Sequence, residues 1–308
     1  MSWSLPDGFT TRPPTDADVP ALVALMNAAD AADGATPDMT EEDLRVWWAK
    51  VDFGHDARLV LGGDGEAAAL LAMQRWGDDV EAFGFVHPAF RGRGLGTSLV
   101  GWSEQRAAEL SAPRIRNVAL TSSEAACRLL EARGYEPAHY FWRMRIDLPA
   151  PLADPRWPAG IEVGTMAEGE ERRYHDAIDE TFAEQWDYIP ESHDEWRERK
   201  LRREHFDRSL WFLAREGDAI AGICQCSLRF GGGWVSAIGV RPAWRRRGIG
   251  LALLLHALHE FQRRGEPSVA LGVDAQNPTG ATRVYERAGM RVAWQAAFYE
   301  KSIQTGSL

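Results

Sequence analysis

Val86-His87-Pro88-Ala89-Phe90-Arg91-Gly92-Arg93-Gly94-Leu95-Gly96 returns further along the chain as Val240-Arg241-Pro242-Ala243-Trp244-Arg245-Arg246-Arg247-Gly248-Ile249-Gly250, a shift of 154 positions. A second stretch, Ala126-Cys127-Arg128-Leu129-Leu130-Glu131-Ala132-Arg133-Gly134, returns as Ala281-Thr282-Arg283-Val284-Tyr285-Glu286-Arg287-Ala288-Gly289, shifted by 155. Two motifs recurring in order at nearly one offset make the chain two copies of one domain. Between them, Leu148-Pro149-Ala150-Pro151 through Trp157-Pro158 is too rich in proline to continue a helix or a central strand. The division expected is therefore a first domain over 1–147, a linker over 148–159 and a second domain over 160–308. Gly160-Ile161-Glu162-Val163 restarts the chain much as Gly8-Phe9-Thr10-Thr11 opened it.

Composition sets the class. The 308 residues are 45% hydrophobic and 26% charged, the balance of a soluble globular protein. A net charge of −10 argues against nucleic acid as a partner, because phosphates call for a basic face. No apolar run approaches the roughly 18 residues of a membrane span, and Met1-Ser2-Trp3-Ser4-Leu5-Pro6 has no signal-peptide character. A cytoplasmic protein is expected, without a membrane partner. Cys127, Cys224 and Cys226 form neither a disulfide framework nor a CxxC pair, so no metal is expected. Cys224 and Cys226 are read as facing opposite sides of a strand. His256 and His259 are read as packing or surface residues of a helix.

Each copy reads as alternating helix and strand, a mixed α/β fold. In the second copy, 172–182 and 193–203 have helical character and Trp211-Phe212-Leu213-Ala214 is an apolar strand. Gly217-Asp218 turns the chain into the strand 219–228. Gly231-Gly232-Gly233 turns it again, into 234–240. Leu251, Leu254, Leu255, Leu258 and Phe261 recur at steps of three and four along one helix face. Ser268 to Val273 reads as a buried strand, Asn277-Pro278-Thr279 opens a helix that Gly289 closes, and 290–303 supplies the last strands.

The repeated arginine–glycine segment joins a strand to that amphipathic helix. Glycines allow a tight turn and leave the main-chain N–H groups uncovered. Such groups at the positive end of a helix dipole suit a pyrophosphate. The dipole alone contributes only about 0.3–1 kcal/mol, so several N–H bonds and the arginines must share the binding. A P-loop would end in Gly-Lys-Ser/Thr, which neither copy has. A dinucleotide fingerprint is also unmet, since Gly92-Arg93-Gly94 continues as Leu95-Gly96-Thr97.

The pattern V-x-P-x-x-R-x-x-G-x-G resembles the acyl-CoA-binding loop of the GCN5-related N-acetyltransferases, the GNAT family. The stretch 274–290 resembles the family's second signature, and the tandem arrangement is similar to that of the mycothiol synthases. The resemblance implies two tandem GNAT domains, each a mixed, mostly antiparallel central sheet with a splayed strand pair flanked by helices. It implies acetyl-CoA as co-substrate, with the N–H groups of Arg246, Arg247, Gly248 and Gly250 on the pyrophosphate and Arg245 and Ile249 within the same loop. It further implies a bulge near Ile238-Gly239-Val240 that opens a gap for the pantetheine. The N–H of Val240 would polarise the thioester carbonyl and Asn277 would contact the cofactor arm. In the first copy Val86, Arg91, Gly92, Arg93, Gly94 and Gly96 keep the loop.

Tyr285 stands where the family carries its general acid, the phenol that protonates the departing thiolate. Its counterpart Leu130 has no proton to give, and Asn277 is matched by Ser122. The second domain is thus expected to be catalytic and the first degenerate. Mycothiol synthase-like members carry a carboxylate at the place of Trp234, which cannot act as a base. The acidic and aromatic stretch 179–188, with Glu184, Trp186 and Asp187 as candidate substrate contacts, suits a cationic amine. The reaction expected is acetyl transfer to a small-molecule primary amine by direct attack. A non-enzymatic acyl-CoA sensor is the alternative. The assembly expected is a monomer with an internal pseudo-dimer, or a homodimer.

Overall fold

The glycine-bounded periodic stretches become helices, and the apolar runs between them strands, in a computed structural model that describes residues 3–49, 51–185, 188–201, 206–277 and 280–303. Two compact units emerge. One comprises Met1–Trp142 with Ala293–Leu308, the other Arg143–Val292.

The first unit runs β1 (Thr10–Arg12), α1 (Val19–Ala32), α2 (Glu41–Trp48), α3 (Phe53–Asp56), β2 (Ala57–Leu61), β3 (Ala67–Trp76), β4 (Asp79–Val86), α4 (Leu95–Glu109), β5 (Arg114–Leu120), α5 (Glu124–Ala132) and the start of β6 (Glu136–Asp147). The second runs β7 (Ile161–Thr165), α6 (Glu171–Phe182), α7 (His193–Leu201), β8 (Trp211–Glu216), β9 (Ala219–Arg229), β10 (Gly232–Val240), α8 (Ile249–Arg264), β11 (Ser268–Asp274), α9 (Ala281–Arg287) and the start of β12 (Arg291–Ser302).

The linear division at the proline-rich stretch does not coincide with these units. β12 ends the sequence yet pairs antiparallel with β5, from Ala296 opposite Leu120 to Ser302 opposite Arg114, and so completes the first unit's sheet. In the second unit, β11 has β6 as its neighbour. The halves have exchanged their last strands. The linker joins no free domains either, because it lies along α8. Trp157 meets the His256 ring, His259 Nε2 approaches the Ala153 carbonyl at 3.1 Å, and Gln262 accepts from Ala150 N–H at 3.0 Å. Both histidines thus serve packing, and burial lowers the pKa of His256.

In the first unit β1–β2, β2–β3, β3–β4 and β5–β12 are antiparallel and β4–β5 is parallel; in the second β7–β8, β8–β9 and β9–β10 are antiparallel and β10–β11 is parallel. β4 pairs with β5 only over Val80–Ala82, and β10 with β11 only over Gly233–Val235. Beyond those positions the strands part, which gives both units the expected splay. α8 buries Ala252, Leu253, Leu254, Leu255, Leu258 and Phe261 against its sheet, while Leu251 stays half-buried. Each such leucine contributes about 1.5–3 kcal/mol of transfer free energy. The helix ends at Gly265 (φ 79), with Glu266 N–H on the Phe261 carbonyl and Gly265 N–H on that of Gln262. In the first unit, α4 and α5 cover one sheet face through Leu95, Leu99, Val100, Trp102 and Leu130. There α1 and α2 cover the other through Leu22, Leu25, Met26, Leu44 and Trp48. No helix among the described residues is long and apolar enough to cross a membrane.

Candidate active site

Strand β10 is where the second unit departs from the first. Its register with β9 shifts between Val235 and Ala237, leaving Ser236 as an extra residue. The bulge therefore lies earlier than the expected 238–240. Its physical consequence is a change of facing. Val235, Ile238 and Val240 share one sheet face, where Val240 Cγ2 approaches the position a Cβ on Gly250 would take, at 3.6 Å. Ala237 and Gly239 share the other face. A Cβ on Gly239 would overlap Thr181 Cγ2 and reach Phe182 Cε2 at 3.8 Å, so only glycine admits α6 this close. In the first unit β3 and β4 pair without a shift from Ala69–Val86 to Trp76–Asp79.

The loop after β10 runs through the short turn Pro242–Trp244 to the left-handed N-cap Gly248 (φ 88) of α8. Arg246 is also left-handed (φ 63), where the first unit has Gly92 (φ 76). Successive left- and right-handed residues curl the main chain into an anion-binding concavity. The N–H of Arg245 is used by the Pro242 carbonyl, at 3.3 Å. Its side chain is used too, with Nε on the Val240 carbonyl at 3.2 Å and Nη1 on Glu184 at 3.0 Å. Arg247 pairs with Glu216 at 2.7 Å, which lowers the glutamate pKa, and Trp244 Nε1 donates to the same carboxylate. Arg246 is exposed and carries no salt bridge among the described residues. Of the three arginine side chains it is the one held by no acid.

Tyr285 sits on α9 and is 6% exposed. Burial pushes its phenol well above the ordinary tyrosine value, and Cys224 adds to the shift. Cys224 lies opposite Ile238 on β9. This corrects the reading of Cys224 and Cys226, because residues two apart in a strand share a face. Their sulfurs lie 3.6 Å apart, both buried, and burial and Cys224 push the Cys226 thiol up. Among the described residues no cluster of His, Cys, Asp or Glu could hold a metal. Asn277 donates its N–H to the Asp274 carbonyl at 3.1 Å in the turn after β11.

The candidate substrate residues divide. Trp186 and Asp187 lie outside the described residues. Glu184 is anchored on Arg245, and Glu180 on Arg241 with Nε to Oε2 at 2.6 Å. The two arginines thereby clamp the end of α6 onto β10. Trp234 faces Arg143, whose guanidinium carbon lies 5.0 Å from the indole centroid. Asp179 was named only as part of a stretch. Its carboxylate accepts from the Tyr188 hydroxyl, and Tyr188 stacks on Phe182 with centroids 6.3 Å apart.

The first unit repeats the clamp, with larger side chains on the strand. Arg91 reaches the Val86 carbonyl at 3.4 Å and Asp33 at 2.8 and 2.9 Å. Ser122, the counterpart of Asn277, donates its hydroxyl to the Asp33 carbonyl. Asp33 thus ties the end of β4 to the end of β5 across the splay. Phe83 and Phe85 stand where the second unit has Ala237 and Gly239. Trp47 packs edge-on against Phe83 at 5.3 Å, and Phe85 packs on the α1–α2 core. Pro6 Cγ lies 3.4 Å from where a Cβ on Gly94 would stand, and Leu130 is buried.

Comparison with known proteins agrees with this duplication. The model of the acetyltransferase (GNAT) family matches twice, over residues 23–135 and 175–290. A mycothiol acetyltransferase of Thermobispora bispora is 32% identical, with 89% of this chain and 93% of the relative covered. That of Geodermatophilus obscurus is 30% identical, with 91% and 95% covered. Among solved structures, a GCN5-related N-acetyltransferase from Sphaerobacter thermophilus superposes with a TM-score of 0.87 at 39% identity, covering 99% of this chain and 98% of that one. A tandem GNAT protein from the clavulanic acid biosynthesis pathway shares the fold, with a TM-score of 0.75 at 18% identity, covering 97% and 100%.

Proposed function

The chain belongs to the acetyltransferase (GNAT) family and is an acetyl-CoA-dependent acetyltransferase; from that premise we propose that its second unit moves the acetyl group onto the primary amine of a small molecule by direct attack. The neutral amine nitrogen bonds to the thioester carbonyl carbon and loses a proton to solvent, the carbon–sulfur bond breaks, and the departing thiolate takes the proton of Tyr285, which solvent then restores. Main-chain N–H groups of Arg246, Arg247, Gly248, Ile249 and Gly250, with the unpaired Arg246 side chain, hold the pyrophosphate. The N–H of Val240 polarises the carbonyl, beside Ile238, an interaction of the kind that contributes about 2.7–4 kcal/mol. Asn277 contacts the cofactor arm. The first unit binds no acceptor and serves as a brace.

One observation carries the reading. The unit with the bulged strand and the small residues Ala237 and Gly239 also has a buried tyrosine on α9, its pKa raised by burial and then by Cys224, which lies opposite Ile238 of that strand. Burial keeps Tyr285 protonated through the neutral range, as a proton donor requires. The relatives' acceptor is not carried over, because Trp234 stands where a base would be.

Exchange of Tyr285 for Phe tests it. Turnover is expected to fall by roughly 10²–10⁴-fold, with acetyl-CoA affinity nearly unchanged by calorimetry. In the parent enzyme the alkaline limb of kcat is expected above the ordinary tyrosine pKa, since burial raises that of Tyr285. Full turnover in Tyr285→Phe would remove the acid assignment, and acetyl-CoA binding without coenzyme A release from any amine would favour a sensor.

A further inference from the structure

We propose that Asp179, set by Tyr188 and flanked by Phe182, is the carboxylate that receives the acceptor as an ammonium ion. The proposal rests on the reading of the second unit as the transfer site, and it narrows the acceptor to amines that arrive positively charged; the bound ammonium gives one proton to solvent before its nitrogen attacks.

Charge bookkeeping along α6 and the loop after it leaves two acids among the described residues without an arginine or lysine, the exposed Asp176 and the half-buried Asp179. Glu170 is paired with Arg215, Glu171 with Arg208, Glu180 with Arg241, Glu184 with Arg245 and Glu191 with Arg199. Asp179 differs. Among the described residues it meets the Tyr188 hydroxyl and, at 3.6 Å, His175 Nδ1, but no arginine or lysine. A phenol that donates to a carboxylate orients it without neutralising it, so its charge stays available for a cation. Burial, and then the bond to Asp179, raise the Tyr188 pKa, which keeps that donor protonated.

Position agrees with charge. Asp179 and Phe182 are three apart on α6 and so share a face. Phe182 stacks on Tyr188 and reaches β10 at Gly239, the residue before Val240. The carboxylate therefore stands about one helical turn from the strand that polarises the thioester, beside two aromatic rings able to take a cation on their faces. Three buried polar atoms on the same helix have no partner among the described residues, the Tyr174 hydroxyl, His175 Nε2 and Thr181 Oγ1. His193, whose ring lies 5.7 Å from that of His175, and Trp196 close the far side.

The test uses the full chain, benzylamine as acceptor and benzyltrimethylammonium as a cation that cannot be acetylated. In Asp179→Asn the KM for benzylamine is expected to rise about tenfold or more while kcat at saturating amine changes little. Benzyltrimethylammonium should compete with benzylamine in the parent enzyme and lose that effect in the variant. Tyr188→Phe, which keeps the charge and loses only its orientation, should give a smaller rise. An unchanged KM together with unchanged inhibition in Asp179→Asn would overturn the proposal. An enzyme that releases no coenzyme A with any amine would instead fail the transfer reading. The ammonium titration, followed calorimetrically, still decides the Asp179 site in that case.

Discussion

At equivalent places the two units keep the same arginine–glycine loop and differ along the strand that leads into it. Both loops carry a left-handed glycine at the helix N-cap and an arginine bonded to the last strand carbonyl and to an acid near the end of the first long helix. Among the described residues the bulge before the loop, the small residues on that strand and a tyrosine at the place of Tyr285 occur only in the second unit; the first has Leu130 there, and its own buried tyrosines, Tyr135 and Tyr299, lie elsewhere. In the first, two phenylalanines, a tryptophan and the Asp33 bridge occupy the corresponding space. A loop motif that survives duplication is thus evidence for a scaffold, because the arginine clamp packs the fold whether or not a ligand comes. Evidence for chemistry lies in what the neighbouring side chains leave open.

The largest effect that could break this comparison comes from separating the units along the sequence. Residues 148–308 alone would carry β12 without β5 and would lack β6 beside β11. Exposed strand edges of that kind drive aggregation. The expected outcome is loss of folded, active protein from either half, read by circular dichroism and turnover, with recovery when 1–147 and 148–308 are co-expressed. A soluble and active 148–308 fragment would mean that the second unit closes its own sheet.

A smaller effect sharpens the contrast at the strand. Gly239→Val gives the second unit a side chain at the place of Phe85. The new Cβ must displace Thr181, at an overpacking cost of about 1–3 kcal/mol. Amine turnover should fall at least about tenfold, as expected when a misplaced contact disturbs alignment, while acetyl-CoA affinity holds. Phe85→Ala should lower Tm without touching turnover.

The duplication, the mixed sheets and the loop were legible in sequence, because glycine spacing, apolar periodicity and proline act locally, while the splay was implied by the family resemblance. Ala237 and Gly239 against Phe83 and Phe85 were legible as well, had the two copies been compared along the strand and not only at the loop. The strand exchange was not. The sequence 290–303 reads as a strand, but which sheet it joins depends on an edge more than a hundred residues away. The bulge at Ser236 escaped because one unpaired residue leaves no compositional mark. Glu184 and Asp179 look alike in sequence as two acids of one helix end. Only the fold assigns Arg245 to one and Tyr188 to the other.

The smallest effect concerns Arg246, where the two loops differ by a single side chain at a left-handed position. A non-glycine residue there costs about 1–2 kcal/mol. Glycine would remove that cost but would also loosen the unfolded chain by about 0.5–1 kcal/mol. Arg246→Gly, which copies Gly92, should therefore raise stability by only about 0.5 kcal/mol, a shift of a degree or two in Tm. Acetyl-CoA affinity should move the opposite way, down about tenfold, because the one loop guanidinium held by no acid is lost. Opposite signs in the two measurements would separate holding the loop from holding the phosphate. If affinity stays level, main-chain N–H groups suffice, and the two loops are equivalent in binding as well as in shape.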